Sequence, residues 1–534
     1  MRLAVGLSVL VAAAIVGAWW WLGAPIAVPA SPLASGEKLY CVSYAPFRGS
    51  QTPFDPTWIE PGQIEDDLAR LASLTDCVRT YSADLGLDRV AEIAERHGLK
   101  VIQGLWLGRE PPRNRREIDT VVEIARRHPG TVRAIVAGNE VLLRGELSPG
   151  ALADLIRDVR AQVVVPVTYA EVWEYWLRNR SVADAVDFVT IHILPYWEDN
   201  PIPAEAAAEH VADIRRMIAD AFPGKQILLG EAGWPSAGRM REGALPSPAN
   251  QARVIEEVLA VAKRDGFRVN LIEAFDQPWK RRLEGTVGGH WGLLDGQTRA
   301  RKFAWGTPLS NHPAWPWQAA IGVALAAAVF LAAGIPRRDA RLPSATQWFG
   351  VAVLALVPGI LIGWAVANVP LESLGVGGWA HSLVMVVLAV VSPVAGAAVL
   401  VRGEPVPAFS HVLAPTPAQS ADRLVPVLGL ARIVLCVIAI EVALGLAFDP
   451  RYRDFPFAPL GAATVPFLVL ALVGTRGRRR LDLAEAIMAA MLGASTIYIA
   501  WHEGLANWQA LALCAVLGGL TVTLLRGPAA PGSK

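Results

Sequence analysis

Apolar and polar positions follow two regimes along this chain. From about residue 38 to 305, short β-rich runs alternate with stretches whose apolar residues recur every three or four positions. The short runs are Leu39–Tyr44, Cys77–Tyr81, Val101–Trp106, Ala134–Asn139, Val164–Thr168, Phe188–Ile193, Ile227–Glu231 and Asn270–Phe275. Between them lie helical patterns at Ile64–Leu74, Leu87–His97, Arg116–His128, Pro149–Gln162, Ala204–Ala221 and Pro248–Asp265, with a shorter candidate at Glu171–Val182. Eight strands, each followed by a helical segment, predict an α/β fold of the (β/α)8 barrel type. An open doubly wound sheet is the alternative. No Gly-x-Gly-x-x-Gly turn follows an early strand, which weakens a nucleotide-binding reading.

The second regime is almost purely apolar. Residues 3–22 form an uncharged run ending in Trp19, Trp20 and Trp21, about the length that spans a bilayer. Further runs lie near 316–335, 346–369, 379–401, 425–447, 458–475, 484–501 and 507–525, so eight spans are expected in all. The expected organisation is an anchor and linker at 1–35, a barrel domain at 36–312 and a helical membrane domain at 313–534. A cleaved signal peptide is the rival reading of the first run, since Val28-Pro29-Ala30 could precede a cleavage point. The terminal tryptophans favour an uncleaved interfacial anchor.

Composition agrees with this division. The 534 residues are 53% hydrophobic and 18% charged, with a mean hydropathy of +0.36. The charged residues concentrate in the first regime. A formal net charge of +1 gives no support to nucleic-acid binding.

Loop charges set the expected topology. With the N-terminus in the cytoplasm, the inside loops hold Arg337, Arg338, Arg341, Arg402, Arg423, Arg476, Arg478, Arg479 and Arg480, and the tail adds Arg526 and Lys534. The outside loops hold only Arg451 and Arg453, beside Asp449 and Asp454. By the positive-inside rule, the barrel faces the periplasm or exterior of a cell inner membrane, both termini are cytoplasmic, and the lipid bilayer is a partner. Arg432 and Glu441 fall nine positions apart in one span, too far for a direct pair along a helix. Pairing with other helices or snorkelling is the plain reading of both, and a part in handling a substrate the other.

Four cysteines divide the same way. Cys436 and Cys514 lie in apolar runs and read as packing residues. Cys41 and Cys77 lie on neighbouring predicted strands. A disulfide is permitted outside the cytoplasm, but geometry across parallel strands is often unsuitable.

In a barrel, functional residues collect at the C-terminal ends of the strands. That nominates Tyr44, Arg79, Tyr81, Trp106, Glu140, Tyr169, Glu171, His192, Tyr196, Glu231 and Gln277. Two carboxylates stand out. Glu140 closes Ile135-Val136-Ala137-Gly138-Asn139-Glu140, and Glu231 closes Ile227-Leu228-Leu229-Gly230-Glu231. Capping strands four and seven, they can meet across the mouth. Glycoside hydrolysis needs such a pair: one donates a proton to the leaving oxygen, the other attacks the anomeric carbon or activates water. Trp106, Trp173, Tyr196, Trp197, Trp234, Trp279 and Trp291 lie near strand ends or loops, where flat rings can stack on sugars or simply fill the core. His192 reads as a structural or sugar-contacting histidine, and Glu171 and Glu198 as substrate contacts or solvated side chains. No Cys/His spacing suggests zinc, so neither metal nor cofactor is expected.

Several stretches carry a family resemblance: Val42-Ser43-Tyr44-Ala45-Pro46-Phe47, Val78-Arg79-Thr80-Tyr81, Gly138-Asn139-Glu140, Gly230-Glu231-Ala232-Gly233-Trp234-Pro235, Phe275-Asp276-Gln277-Pro278-Trp279-Lys280 and His290-Trp291-Gly292-Leu293. On these the barrel resembles glycoside hydrolase family 17, within the retaining (β/α)8 glycosidases. The resemblance implies β-1,3-glucan as donor, Glu140 as general acid/base and Glu231 as nucleophile. It also implies that Asn139 bonds the sugar's 2-hydroxyl and that Tyr196 orients the nucleophile. Arg79 could keep Glu231 ionised or serve as a structural ion pair, and Tyr44, Tyr81, Trp234 and Trp279 are candidate substrate contacts. Gln277 stands where an acidic residue is common in the family, which weakens any charge-based role there and leaves a hydrogen bond to a sugar hydroxyl. Fused to membrane helices, the layout is similar to bacterial membrane-bound β-1,3-glucanosyltransferases and β-(1,6)-glucan synthases. That implies transglycosylation, with endo-hydrolysis and an inactive glucan-binding or export accessory as alternatives, and a glucan synthase or export protein as a candidate partner.

Overall fold

The computed structural model describes residues 2–335, 342–413, 424–473 and 482–526. The chain divides into two compact units, Ile26–Ala237 with Gly243–Leu309, and Met1–Pro25 with Gly238–Glu242 and Ser310–Lys534.

The first unit is a closed barrel. Its strands are β1 (Cys41–Ser43), β2 (Cys77–Arg79), β3 (Lys100–Leu105), β4 (Val132–Asn139), β5 (Val167–Val172), β6 (Val189–His192), β7 (Ile227–Ala232) and β8 (Val269–Leu271). Each pairs in parallel with the next, and β8 returns to β1, which excludes the open sheet. The connecting helices start where the sequence makes starting easy. Pro61, Pro111, Pro149 and Pro248 occupy first-turn positions, where a missing N–H costs nothing. Ser148 and Ser247 cap two of these helices by accepting the backbone N–H of Ala151 and Asn250.

Strand alternation separates two cores. Outward residues such as Val42, Val78, Val101 and Ile135 pack under the helices in the large cluster. Cys41, Cys77, Ile102, Val136, Ala170 and Leu228 form a smaller cluster. Cys77 shares its strand face with Arg79, whose guanidinium reaches Glu231 on β7, so this cluster fills the barrel interior. Val42 and Val78 are partners in register, which sets Cys41 beside Cys77. The two are joined by a disulfide with a Cα–Cα distance of 4.3 Å, so this parallel pair does accommodate the bridge.

Two strands differ from expectation. β5 begins at Val167 rather than Val164, because Pro166 has no N–H for a ladder and Val164 is 95% exposed. Tyr169 and Glu171 consequently lie inside the strand. β8 ends at Leu271, so Glu273 lies beyond it at the mouth.

The second unit is helical. Its long helices are Arg2–Leu22, Trp315–Gly334, Ala345–Glu372, Gly375–Arg402, Leu424–Phe448, Phe457–Val473, Leu483–Glu503 and Trp508–Leu525. Among the described residues, seven of these are long and apolar enough to cross a membrane, and Phe457–Val473 is a shorter apolar helix of 17 residues. Small residues permit close backbone approach. A Cβ on Gly322 would fall 2.2 Å from the Gly359 carbonyl oxygen, and one on Gly363 would meet the Trp19 ring at 2.8 Å. Ile15 and Trp19 of the first helix are fully buried in this packing. Arg432 and Glu441 both pair with other helices. Arg432 Nη1 is 3.4 Å from Glu485 Oε1, and Glu441 Oε2 is 3.2 Å from His381 Nε2. Of the arginines and lysine in the expected inside loops and tail, only Arg402 and Arg526 fall within the described residues.

Candidate active site

Glu231 sits inside β7 and is 4% exposed. Gly230 before it has no room for a side chain, since a Cβ would lie 2.3 Å from a Thr190 methyl. Arg79, rising from β2, donates from Nη1 to Glu231 Oε1 at 2.8 Å and to the Gly230 carbonyl at 3.0 Å. Its Nη2 donates to Asn139 Oδ1 at 2.5 Å. The Tyr81 hydroxyl donates to the same Glu231 oxygen at 2.8 Å, and its ring lies 4.7 Å from the Arg79 guanidinium. Burial works against the charge on Glu231. His192, Arg79, Lys280 and the Tyr81 hydroxyl outweigh it, and the carboxyl is held below its ordinary range. Burial and the neighbouring Glu231 charge push the Tyr81 phenol well above its ordinary value, so it stays a donor.

Glu140 stands one residue past β4, after Gly138 at φ +91° and with φ +51° of its own. A left-handed non-glycine residue persists only where its surroundings fix it. Its amide donates to the Ala170 carbonyl at 2.8 Å, and its carbonyl accepts from the Arg144 amide at 2.9 Å. The side chain is 25% exposed, and Oε1 lies 2.7 Å from His192 Nδ1. His192, the last residue of β6, places its other nitrogen 3.7 Å from Glu231 Oε1.

One oxygen of Glu140, one of Glu231 and a His192 nitrogen lie within 4.8 Å of one another. Such a triangle has the spacing of a metal site. The fixed positive charges of Arg79 and Lys280 already act on Glu231, and a cation there would be repelled by both. For sugar chemistry, carboxyl groups about 5–5.5 Å apart suit double displacement, whereas inversion needs about 6.5–9.5 Å to admit water between them. One oxygen of Glu140 and one of Glu231 approach within 4.8 Å, short enough for the first arrangement.

The other nominated residues fall in three settings. Asn139 is 7% exposed and bound to Arg79. Tyr196 is buried against Trp197, Trp234 and Trp291, with ring centroids at 4.9, 6.0 and 6.2 Å. Trp279 is half-buried and packs edgewise on Phe47 and Phe54. Three are committed to the scaffold. Trp234 is fully buried, with Nε1 donating to the Leu245 carbonyl at 3.1 Å, so its faces are closed to sugar. Tyr44 is 1% exposed and donates to Asp67 at 3.1 Å. Gln277 is fully buried, donating to the Ala45 carbonyl at 2.8 Å and accepting from Trp279 Nε1 at 2.8 Å.

The sequence reading passed over Glu273 and Glu284. Lys280 Nζ lies 2.9 Å from both oxygens of Glu273. Burial raises Glu273 to about 7 despite Lys280. Glu284 is also raised, by burial first and by the charges of Glu140 and Glu231. A β8 running through Phe275, as the sequence predicts, places Glu273 within the strand instead of at its end. A strand ending at Leu271 would have made it a strand-end carboxylate.

Residues 41–292 match the family profile of the BtgE/BtgC glycoside hydrolase domain. The barrel is a glycoside hydrolase domain of this type. Among its relatives is the glucan 1,3-beta-glucosidase of Saccharomyces cerevisiae, 26% identical over 263 residues, covering 45% of this chain and 84% of the relative. The probable beta-glucosidase btgE of Aspergillus fumigatus is 29% identical over 226 residues, covering 41% of this chain and 39% of the relative. A solved family 17 β-1,3-glucanosyltransferase from Rhizomucor miehei is 25% identical with a TM-score of 0.43, covering 50% of this chain and 98% of that one.

Proposed function

We propose that this protein is a membrane-anchored retaining enzyme that cleaves β-1,3-glucan and passes the glycosyl group to another glucan. The carrying observation is the asymmetric carboxylate pair: Glu231 buried and held ionised, Glu140 part-exposed, with oxygens within 4.8 Å. The substrate class follows the glucan 1,3-beta-glucosidase that the domain resembles along most of that relative's length.

In the first step Glu140 gives its proton to the glycosidic oxygen while Glu231 attacks the anomeric carbon. The bond to the leaving chain breaks and an ester to Glu231 forms. Arg79 and Tyr81 both donate to Oε1 of Glu231 and hold the carboxylate ionised and aimed. Asn139, fixed by Arg79, is offered to the sugar's 2-hydroxyl, a contact that strengthens in the transition state. In the second step Glu140 takes a proton from the acceptor, which attacks the anomeric carbon and frees Glu231. An acceptor sugar gives transfer and water gives hydrolysis. Tyr196 supports the loop after β6, and Trp279 is the remaining candidate platform for a sugar ring.

The apolar helices support a membrane setting, and fusion to them favours glucan assembly over foraging. The Cys41–Cys77 bridge supports an oxidising compartment for the barrel, periplasm or exterior. Burial of Ile15 and Trp19 supports a first helix retained as an anchor. The test is to incubate the full-length protein in detergent with laminari-oligosaccharides and weigh the products. Longer or branched products establish transfer. Only shorter ones establish the hydrolase reading, and unchanged substrate with retained binding the accessory reading.

A further inference from the structure

Glu171 was expected at a strand end, touching substrate or solvent. It lies within β5, is fully buried, and forms no salt bridge with a cationic side chain among the described residues. Two of its hydrogen bonds reach the turn after Glu140 and two stay on β5. Oε2 accepts the backbone N–H of Leu142 at 3.1 Å and of Leu143 at 3.2 Å, together with the Tyr169 hydroxyl in a short bond. The Leu142 N–H is shared with the Tyr169 oxygen at 3.1 Å. Oε1 accepts the N–H of Val172 at 2.9 Å. Leu142 and Leu143 lie in the turn that follows Glu140. A buried carboxylate on β5 therefore holds, by two amides, the turn that keeps Glu140 left-handed.

A buried carboxylate is costly unless its hydrogen bonds need it. Four donors converge on Glu171, and no neutral side chain of its shape can serve all four. Glutamine offers one oxygen, and its amide nitrogen would turn a donor toward a donor. The Ala170 carbonyl, next door on β5, also accepts the Glu140 amide. Three consecutive β5 residues thus grip this one turn, and all three are fully buried.

We propose that Glu171, with Tyr169, is a positioning residue for the proton-transferring Glu140; this rests on the acid/base reading of Glu140 given above. Loss of the grip lets Glu140 relax from its left-handed conformation and carries its carboxyl away from the glycosidic oxygen, leaving Glu231 and its partners in place. The damage is then confined to steps that need a proton moved. A structural role spread through the barrel would weaken every step alike.

The test uses the full-length protein in detergent and two substrates. Laminaritriose needs its leaving group protonated. A dinitrophenyl β-laminaribioside does not. For Glu171→Gln the expected loss on laminaritriose is about 10–100-fold, the scale of a misplaced catalytic group. The burst of dinitrophenolate is expected to stay within about twofold of the parent, and added azide to speed the second step, as for a missing general base. Tyr169→Phe keeps the ring and is expected to show the same split at smaller amplitude, which covers a Glu171→Gln protein that fails to fold. Equal losses on both substrates, or none, in whichever variant folds would overturn the proposal. Glu140→Gln is the control. If it shows the split and the Glu171 and Tyr169 variants do not, the positioning role is wrong. If Glu140→Gln itself loses both activities equally, the acid/base reading fails instead.

Discussion

The ends of β4 and β7 present the same residue type on similar apolar strands and make opposite environments from it. Glu231 stays within its strand, buried, with Arg79 and Tyr81 on one oxygen and Lys280 contributing charge from farther off. Glu140 leaves its strand through a left-handed turn, remains part-exposed, and has only His192 as a direct side-chain partner among the described hydrogen bonds. Cations near a carboxylate favour its charge, and His192, Arg79 and Lys280 all act on Glu231. Division of labour between chemically identical residues is therefore a property of what each strand end brings near.

Breaking the comparison at β7 should cost most. Glu231→Ala removes the proposed nucleophile, and turnover of laminari-oligosaccharides is expected to fall by roughly 10⁴-fold or more. Azide or formate should restore a product of inverted configuration, read by NMR of the anomeric proton. At β4, Glu140→Gln is expected to lose about 10²–10⁴-fold on the same substrates and far less with an activated aryl leaving group. Equal losses in both assays would erase the proposed difference between the ends.

Lys280→Met sharpens the comparison without touching either carboxylate. The first step requires ionised Glu231, so kcat/KM falls as pH drops through its folded-state pKa. Lys280 lowers that pKa, and removing its charge raises it. The acidic limb should move to higher pH, with activity lost on the acidic side and little changed near neutrality. An unmoved limb would remove Lys280 from the account of Glu231. The smallest effect is expected from Trp279→Ala, which lies beyond both ends. About 1 kcal/mol of ring contact corresponds to a KM about fivefold higher, with kcat held. A fall in kcat would show that the ring supports the catalytic pair.

The barrel and its two carboxylates were legible because their signals are local. Strand periodicity, prolines at helix starts and a glutamate after each of two apolar strands need no knowledge of distant contacts. Arg79 was legible as a partner of Glu231 because both stand at strand ends. The network around Glu140 was not, because it depends on register. β5 slides by three residues at Pro166, and that slide puts Tyr169 and Glu171 under the turn rather than at the rim. Trp234 is a related case: it follows the strand of Glu231 in a motif shared with sugar enzymes, yet the chain folds its ring into the core. Gly-rich and tryptophan-rich motifs mark where a site is, while burial decides which of their side chains face it.

The central claim is that Glu231 carries the sugar between the two steps. The direct measurement is to treat the full-length protein with a dinitrophenyl deoxyfluoro-laminaribioside, which forms the ester quickly and releases it slowly, and to map the labelled peptide by mass spectrometry. The account predicts one sugar per chain on the peptide containing Glu231, and none in Glu231→Ala. A label on Glu140, or turnover with inverted product and no covalent adduct, would contradict it.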